Sequence, residues 1–276
     1  MQTFKIRVAG ESYYPEVMVF SGGEVNVTLP SHFPPVVYNL VVQARLRNAE
    51  DIISLMMIKD ALDRHIRAKY SATLSLHYVP YARQDRVCNE GEALSIKVFA
   101  DLVNSMGFDT VYTLDNHSEV STALINNVAN IPVENILERN LPWDLVSEDL
   151  VLCSPDAGAN KKSYNVAKAL GISEVIRADK RRDVSTGKIT GTEVFCGDLE
   201  GKNVLVVDDI CDGGYTFIKL AEKLKEKNAG DLYLYVTHGI FSKGVDCLIE
   251  AGYSRVFTTN SFYRGTSDSQ VSIIKL

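Results

Sequence analysis

The sequence has few cysteines, and their spacing excludes two common kinds of small-domain scaffold. Five cysteines are scattered over 276 residues, and no C-x-x-C pair occurs among them. Disulfide-stapled domains and zinc ribbons carry closely spaced cysteine pairs, so neither is indicated. Cys211 falls within an acidic stretch. We interpret it as a small buried residue rather than a reactive thiol.

The sequence also lacks a long apolar segment. No run of 18 apolar residues occurs, so no membrane-spanning helix is predicted. The first residues, MQTFKIRVAGE, do not show the basic-then-apolar pattern of a signal peptide. We therefore expect a cytoplasmic protein without a membrane partner.

An excess of positive charge is absent as well. The formal net charge is -6, whereas a protein that grips a nucleic-acid backbone favours a broad basic surface. We therefore expect no nucleic-acid partner, although small phosphorylated ligands need only a local cationic cluster. With 46% hydrophobic and 23% charged residues, the chain is typical of a globular protein of one large or two ordinary domains.

Apolar, strand-like runs alternate with helical patterns along the whole chain. Strands are predicted at residues 36–43, 73–79, 110–114, 150–153, 174–178, 204–207, 232–236 and 255–258. Helices are predicted at residues 49–69, 94–106, 160–170 and 217–227. This alternation predicts an α/β fold with mainly parallel sheets flanked by helices. Ligands of such folds collect beyond the carboxyl ends of the strands.

A domain boundary is predicted in the polar, proline-containing segment NLPWDLVSED at residues 140–149. The domains would then be residues 1–143 and 144–276. Each contains a strand that ends in an acid-bearing loop, TLDNH at 113–117 and VVDDICD at 206–212. This echo favours two similar, duplicated domains.

The stretch VLVVDDICDGGYT at residues 204–216 carries the most chemistry. Successive side chains of a strand point to opposite faces, so we expect the chain to be turning already at Asp208 and Asp209. Gly213 and Gly214 permit positive φ angles and a close approach of the backbone to a ligand. Thr216 is predicted to cap the following helix, whose first N–H groups attract an anion.

A sugar phosphate would satisfy both halves of this stretch. The carboxylates can accept hydrogen bonds from vicinal hydroxyls while the main-chain amides bind the phosphate. Two alternatives stay open on the residues alone. One is an ordinary strand–turn–helix junction with solvated acids. The other is a Mg²⁺ site, which needs one or two carboxylates plus ligand phosphates and is compatible with the sugar.

The same stretch resembles the phosphoribosyl-binding signature of type I phosphoribosyltransferase folds. Five further motifs resemble those of ribose-phosphate pyrophosphokinases, also called phosphoribosyl pyrophosphate synthetases. They are YARQDR at 81–86, DNHS at 115–118, SPDAG at 154–158, DKRR at 179–182 and VTHGIFS at 236–242. They follow the family's order, and the resemblance runs from about Phe20 to Ser261, which is nearly the whole chain. The resemblance implies two phosphoribosyltransferase-like domains, the first with ATP-binding elements and the second with the sugar-phosphate loop.

The resemblance also implies a reaction and its partners. The β,γ-diphosphate of ATP would move to the C1 hydroxyl of ribose 5-phosphate, giving phosphoribosyl pyrophosphate, a precursor in nucleotide biosynthesis, and AMP. Mg²⁺ would bridge phosphate oxygens. The protein would be a homo-oligomer whose ATP sites are completed across interfaces between subunits.

Site residues follow from the resemblance by their positions in these motifs. ATP is expected to contact Phe20, Glu24, Arg83, Gln84, Arg86 and His117. The sugar phosphate is expected to contact Asp208, Asp209, Asp212, Gly213, Gly214, Tyr215 and Thr216. Mg²⁺ is expected at His117 and Asp156. The catalytic residues are expected to be Lys180, Arg182 and His117.

Residue chemistry alone leaves several of these roles open. The arginine fork of Arg83 or Arg86 suits phosphate or adenine, but the segment would also suit a solvated loop. His117 without its motif would be read as structural, and we interpret His238 in that way. Lys180 and Arg182 fall in a polar, glycine-containing segment at 179–193, which we interpret as a mobile loop. The resemblance implies that a lysine and an arginine of this loop close over the transition state. A solvated charge run is the alternative there.

Two motifs depart from the family pattern. The family's F-S-D-G-E element reads FSGGE at residues 20–24, and its D-T-G/A-G-T loop reads DGGYT at 212–216. Gly213 therefore lacks a threonine hydroxyl, and Tyr215 offers an aromatic surface on which a base can stack. An acceptor with an extended 5-phosphate is the alternative substrate. ADP-ribose, which some phage-encoded relatives are understood to use, would give ADP-ribose pyrophosphate for NAD synthesis.

The sequence disfavours two other classes of protein. A non-catalytic, synthetase-associated regulatory protein is disfavoured because the chain keeps Lys180, His117, Asp156 and the Asp208–Asp209 pair. A phosphoribosyltransferase that consumes the activated sugar is disfavoured because it would not need the YARQDR segment.

Overall fold

The computed structural model describes residues 2–142, 145–146, 149–182 and 189–276, and of residues 180–182, 189 and 190 it describes the backbone alone. The chain divides into two compact units, Met1–Ile131 and Pro132–Leu276. The predicted division between residues 143 and 144 stays a prediction, since both of these residues lie outside the described ones.

The described part of the first unit contains a sheet of six strands in the order β2-β1-β5-β6-β7-β8. Its strands are β1 Phe4–Val8, β2 Glu11–Tyr13, β5 Asn39–Ala44, β6 Ser71–Leu76, β7 Thr110–Leu114 and β8 Val128–Ile131. Strands β5 to β8 run parallel, whereas β1 pairs antiparallel with both β2 and β5. A separate antiparallel hairpin consists of β3 Glu16–Val19 and β4 Val25–Thr28.

Helices α1 Ala49–His65, α2 Ser95–Ser105 and α3 Glu119–Leu124 complete this unit. Helix α1 begins after Asn48, whose side chain accepts a hydrogen bond from the Asp51 amide at 2.8 Å and so caps the helix. The first strand was not predicted from the sequence, although Phe4 and Ile6 are buried and alternate with polar residues at the period of a half-buried strand.

The described part of the second unit contains a sheet of seven strands in the order β11-β10-β9-β12-β13-β14-β15. Its strands are β9 Val151–Ser154, β10 Glu174–Arg182, β11 Ile189–Phe195, β12 Val204–Cys211, β13 Leu232–Gly239, β14 Tyr253–Thr259 and β15 Val271–Ile274. Only β11 pairs antiparallel among these described strands. The helices are α4 Val133–Asn140, α5 Asn160–Leu170, α6 Tyr215–Glu226 and α7 Asp246–Ala251.

Helix α6 shows how the sequence pattern becomes packing. Phe217, Leu220, Ala221 and Leu224 recur at the helical period, and all four are buried. They belong to the same core as the apolar residues at the start of β12, which lies at the centre of its sheet. The predicted helix at 217–227 is thus confirmed, with its first turn two residues earlier.

The predicted α/β fold with two mainly parallel sheets flanked by helices is confirmed. The helix predicted at 49–69 ends earlier, at His65, where the Ile66 amide closes the last turn on the Leu62 carbonyl at 2.9 Å. In the part of the chain that the structure describes, no helix combines the length and the apolar character needed to cross a membrane.

Candidate functional site

Three neighbouring strands of the second unit deliver their loops to one edge of the sheet. Strand β12 pairs in parallel with β9 on one side and with β13 on the other. Parallel strands end at the same edge, so the segments 155–159, 212–216 and 240–244 gather there. This edge is where ligands bind in open α/β sheets. It brings three of the quoted motifs, SPDAG, DDICDGGYT and VTHGIFS, to one place.

The acidic pair lies within strand β12, so the expectation of a turn at Asp208 and Asp209 is wrong. The ladder to β13 continues past both acids, with Asp208 opposite Val236 and Cys211 opposite Gly239. The pair is instead held by local bonds. Asp208 Oδ1 accepts a hydrogen bond from the Asp209 amide at 2.9 Å. The acids can therefore stay in a regular strand at the point where it ends.

A lysine offsets the charge of this pair. Lys162 Nζ lies 3.4 Å from Asp209 Oδ1, and the two side chains are 18% and 9% exposed. Burial, followed by the neighbouring Asp209 and Asp156 carboxylates, raises the pKa of Asp208 well above its usual range, while Lys162 opposes this rise. Asp208 thus holds a proton more readily than an ordinary carboxyl. Lys162 counters the like-charge repulsion that makes this edge unfavourable for a second carboxylate.

Lys162 was not among the predicted site residues. A signal for it exists in the sequence, because Lys161 and Lys162 directly follow the SPDAG motif. A helix that starts at the end of β9 has its first turn beside the neighbouring strand end of β12. A buried acid pair there needs a cation, and the first turn of α5 is a place from which one can reach it.

The glycine loop has a conformation that only glycine adopts easily. Gly214 has φ of 77°, and a Cβ there would lie 3.2 Å from Leu248 Cδ2. It is the residue from which α6 begins, and no side chain caps this helix start. The prediction that Thr216 is the cap is therefore wrong, since the helix starts with Tyr215 and Thr216 is its second residue. The first N–H groups of α6 are left for an anion.

The loop after β13 packs against the glycine loop. The amides of Phe241 and Ser242 donate to the carbonyls of Cys211 and Asp212, both at 3.1 Å. A Cβ on Gly213 would lie 3.7 Å from Lys243 Cε and 3.8 Å from Ser242 Oγ. Position 213 thus has room for a side chain, unlike position 214.

Tyr215 is the first residue of α6 and directly follows the glycine loop. Its side chain is 58% exposed and follows Gly214 at the start of α6. An exposed aromatic ring next to a helix N-terminus can carry a stacked base when the anion bound there has an extension. The tyrosine therefore has the exposure that the extended-acceptor hypothesis requires.

Asp156 has a structural role in addition to its predicted one. Its Oδ1 accepts hydrogen bonds from the amides of Gly158 at 3.0 Å and Ala159 at 3.2 Å, and so caps the 3₁₀ turn that leads into α5. Ser154 Oγ donates to the Asp156 carbonyl at 3.0 Å and fixes the same turn. Asp156 also contributes to the raised pKa of Asp208, so its carboxylate belongs to the acidic edge.

The DKRR motif lies on a strand, so the interpretation of residues 179–182 as a loop is wrong. Lys180 and Arg182 belong to β10 and pair with Thr192 and Ile189 of the antiparallel β11. Residues 183–188 of the predicted loop lie outside the described residues, and residues 189–193 belong to β11. The sequence pattern missed the strand because its pairing partner is a polar segment that lacks an apolar run.

The first unit brings two of the predicted ATP segments together. Residues 81–86 follow β6 and residues 115–118 follow β7, its parallel neighbour in the sheet. Arg86 Nε donates to Asp85 Oδ1 at 2.7 Å. This bond lowers the pKa of Asp85, and the charge of His117 lowers it further. The shared carboxylate thus links the two loops.

Other predicted ATP residues of this unit face solvent. Arg83, Gln84 and His117 are exposed, and the Arg86 side chain is 75% exposed although it contacts Asp85. Exposed arginines beside a histidine form a cationic surface that suits phosphate groups.

Phe20 and Glu24 lie elsewhere in the first unit. They close the turn between β3 and β4, where the Phe20 amide donates to the Glu24 carbonyl at 2.8 Å. Phe20 is 50% exposed and lines an open groove of about 670 Å³ together with Ile53 and Met57 of α1. Glu24 lines the same groove, so both predicted ATP residues of the hairpin lie beside α1.

The residues fit a magnesium ion that is held mainly by ligand phosphates. Among the described residues, no group of three or more His, Cys, Asp or Glu side chains forms a cluster that could hold a metal by itself. Asp156 supplies one carboxylate at the acidic edge, which is typical of Mg²⁺ bound through one or two protein oxygens and substrate phosphates. His117 belongs to the first unit and Asp156 to the second.

Two residues interpreted as structural are buried. His238 is 2% exposed, and its Nδ1 lies 2.8 Å from Ser261 Oγ. Cys211 is fully buried, and burial raises the pKa of its thiol to about 12. A thiol with so high a pKa is protonated at neutral pH, which agrees with a packing role.

Comparison with known proteins gives a consistent family. The chain is 32% identical over 230 residues to a ribose-phosphate pyrophosphokinase of Vibrio cholerae. The aligned region covers 81% of this chain and 70% of that protein. It is 32% identical over 229 residues to the same-named protein of Campylobacter jejuni, covering 81% and 71%. A family model described as phosphoribosyl synthetase-associated domain matches residues 158–276.

A solved structure shares the fold. The crystal structure of phosphoribosylpyrophosphate synthetase from Mycobacterium smegmatis matches with a TM-score of 0.80 at 24% identity, covering 95% of this chain and 86% of that one. The sheets and the glycine loop after β12 place the protein in the class of phosphoribosyl-binding α/β folds. The chain belongs to the ribose-phosphate pyrophosphokinase family.

Proposed function

We propose that this protein transfers the β,γ-diphosphate of ATP to the C1 hydroxyl of ribose 5-phosphate, which yields phosphoribosyl pyrophosphate and AMP. The observation that carries this proposal is the edge formed by β9, β12 and β13. It combines an acid pair for a sugar diol, of which Asp209 is buried and Asp208 half-buried, with a glycine loop for the phosphate, in a chain of this family.

The acceptor would bind at the second unit. Asp208 and Asp209 would accept hydrogen bonds from the ribose hydroxyls, and the amides of residues 213–216 would donate to the 5-phosphate. Burial and the neighbouring Asp209 carboxylate raise the pKa of Asp208 when no ligand is bound. A bound diol can donate one hydrogen bond to each of the two carboxylates, which stabilises the ionised pair.

ATP would bind at the loops of the first unit. Arg83, Gln84, Arg86 and His117 would contact its phosphates or adenine, because they are exposed on adjacent loops. Phe20 and Glu24, on the hairpin beside α1, would serve the adenine of a neighbouring subunit in a homo-oligomer. Their position on an open groove supports this role.

Catalysis in this reaction is mainly alignment and neutralisation of charge. The attacking sugar hydroxyl and the β-phosphorus must be held in line, since little covalent chemistry is left for the protein. Lys180 and Arg182 would donate to the phosphoryl oxygens as negative charge grows in the transition state. His117 and Asp156 would hold Mg²⁺, which supplies further neutralisation of the phosphates when it is bound.

The same chemistry on ADP-ribose is a second candidate. The exposed Tyr215 and the missing side chain at Gly213 favour it, because an acceptor with an extended 5-phosphate needs room and gains a stacking surface. The product would be ADP-ribose pyrophosphate, a precursor for NAD synthesis. A synthetase-associated regulatory role is the third candidate, and the retained acidic pair disfavours it.

An assay with both acceptors tests the proposal. The purified protein, with ATP and Mg²⁺, is given ribose 5-phosphate or ADP-ribose, AMP release is followed, and the products are identified by mass. We expect AMP and phosphoribosyl pyrophosphate with ribose 5-phosphate. Faster turnover of ADP-ribose would select the second candidate. Release of AMP with neither acceptor would leave the regulatory role.

A further inference from the structure

We propose that Lys243 is a phosphate-binding residue of the acceptor site, and that it supplies the contact which Gly213 cannot make. This inference deepens the proposed function and rests on it. The observation that carries it is that the Lys243 side chain lies against the glycine loop at Gly213, where the loop has no side chain of its own.

The position of Lys243 is fixed by its neighbours. The preceding residues are tied to the glycine loop by two hydrogen bonds, from Phe241 to Cys211 and from Ser242 to Asp212. A Cβ at Gly213 would meet Lys243 Cε at 3.7 Å and Cδ at 3.8 Å. The lysine stem therefore occupies the flank of the loop that a residue-213 side chain would face.

The ammonium group of Lys243 is available for a ligand. Within the described part of the chain, Lys243 makes no hydrogen bond and no ion pair, and its side chain is exposed. Two other lysines of this unit do have partners. Lys219 donates to Glu222, and Lys225 donates to the Ala251 carbonyl. An ammonium beside a helix start adds a mobile cation to the fixed main-chain donors of that helix.

The electrostatics of the loop call for such a cation. Asp208, Asp209 and Asp212 precede the glycines within five residues, and a phosphate dianion at the loop would be repelled by them. Lys162 already contacts Asp209. Lys243 is the cation on the opposite flank, where it can donate to a phosphate oxygen with a charge-assisted bond.

Kinetics of substituted enzymes test this assignment. We expect Lys243→Met to raise KM for ribose 5-phosphate at least about tenfold, the effect of losing one charged hydrogen bond. The kcat and the KM for ATP should stay unchanged. Lys243→Arg should recover most of the loss, because it keeps the charge and the donors.

The matched control is Lys168→Met. Lys168 is exposed and, among the described residues, has no hydrogen bond or ion pair, but it lies in the last turn of α5, whose first turn is at the acidic edge. Helix α5 runs back to the opposite edge of the sheet, so Lys168 lies far from the glycine loop. Lys168→Met therefore changes the net charge by the same amount as Lys243→Met without removing a contact to the loop. It should leave every kinetic constant unchanged.

A second substitution tests whether the raised KM of Lys243→Met comes from the loss of a phosphate contact. Gly213→Thr in the Lys243→Met background restores a hydroxyl donor at the loop, and a Cβ there meets only ordinary van der Waals contacts. It should lower the raised KM. The rise in melting temperature produced by ribose 5-phosphate gives a readout independent of turnover, and Lys243→Met should reduce it.

The outcomes distinguish the two proposals. Equal KM and equal thermal shift for wild type and Lys243→Met would overturn the role of Lys243 while the enzyme still released AMP. An effect confined to ADP-ribose would also overturn it, because the assigned contact is to the phosphate nearest the sugar. Wild-type protein that releases no AMP with either acceptor would contradict the proposed function instead.

Discussion

At the scale of single residues, the acidic pair depends on a cation that comes from another element. Asp208 and Asp209 are adjacent on one strand, and Lys162 reaches them from α5. A buried charge pair is strongly destabilised when one partner is removed, because the other is left uncompensated. Lys162 is therefore a positioning residue, which acts on the acceptor through Asp209.

We predict that Lys162→Met lowers the melting temperature and raises KM for ribose 5-phosphate with little change in KM for ATP. The physical reason is that the Asp209 carboxylate loses the cation that lies 3.4 Å away and orients it. Lys162→Arg should retain both properties. Melting curves and initial rates of AMP release measure the two effects separately.

The double variant Lys162→Met, Asp209→Asn tells a positioning role from a purely structural one. It removes the uncompensated charge, so the melting temperature should recover. Acceptor binding should not recover, since the amide is a poorer acceptor for a diol than a carboxylate. Recovery of both would contradict the role assigned to Lys162.

Residues of the site differ in how far the sequence could predict them. Gly213, Gly214 and the acids were found because their types and spacing are local signals. Lys162 and Lys243 were missed because their roles arise from contacts between elements far apart in sequence, α5 with β12 and the loop after β13 with the loop after β12. A single sequence shows the lysines but not which loop they lie against.

At the scale of elements, the same limit explains the corrected segments. Residues 179–182 look like a solvated charge run, yet they form a strand because β11 pairs with them across the edge of the sheet. Strand β12 continues past its acids because β13 provides a ladder of the same length. In both cases the neighbouring strand determines the structure of the segment. The periodicity of a single segment carries no information about which strand will pair with it.

The glycine loop gives a prediction at this scale, because its two glycines have different reasons to be glycine. Gly214 needs positive φ and lies against Leu248, whereas Gly213 has a φ outside the left-handed region and a Cβ there would make only ordinary van der Waals contacts. We predict that Gly214→Ala lowers the free energy of unfolding by about 1–2 kcal/mol. Gly213→Ala should change it by less than about 1 kcal/mol.

Chemical or thermal unfolding of the two variants measures this difference under identical conditions. For a unit of this size, 1 kcal/mol corresponds to roughly 2–4 °C in melting temperature, which is easily resolved. Equal losses in the free energy of unfolding for both variants would contradict the different roles assigned to Gly213 and Gly214.

At the scale of the whole molecule, the predicted substrates divide between the two units. Each unit has its own hydrophobic core, and each has a parallel sheet whose carboxyl edge carries acid-bearing loops. The predicted echo between TLDNH and VVDDICD stays a prediction, since β7 is next to the edge strand of its sheet whereas β12 is the central strand of its own. The antiparallel additions differ between the units, with β1 and β2 in one and β11 in the other.

This division predicts where each ligand slows hydrogen exchange. Ribose 5-phosphate alone should protect the amides of residues 208–216 and 240–244, because the phosphate and the diol bind the loops of the second unit. It should leave residues 81–86 unchanged. ATP with Mg²⁺ should protect residues 81–86 and 115–118. Hydrogen-exchange mass spectrometry of the intact protein measures both patterns.

The amides of β5 and β6 provide an internal reference, since they lie in the sheet ladder of the first unit and should exchange slowly in every state. If ribose 5-phosphate protects residues 81–86 while residues 212–216 exchange as before, the assignment of acceptor and donor to the two units is reversed. Because the glycine loop and the acidic pair both lie at the edge of β12, they should gain protection together. Protection of one without the other would separate the phosphate site from the diol site.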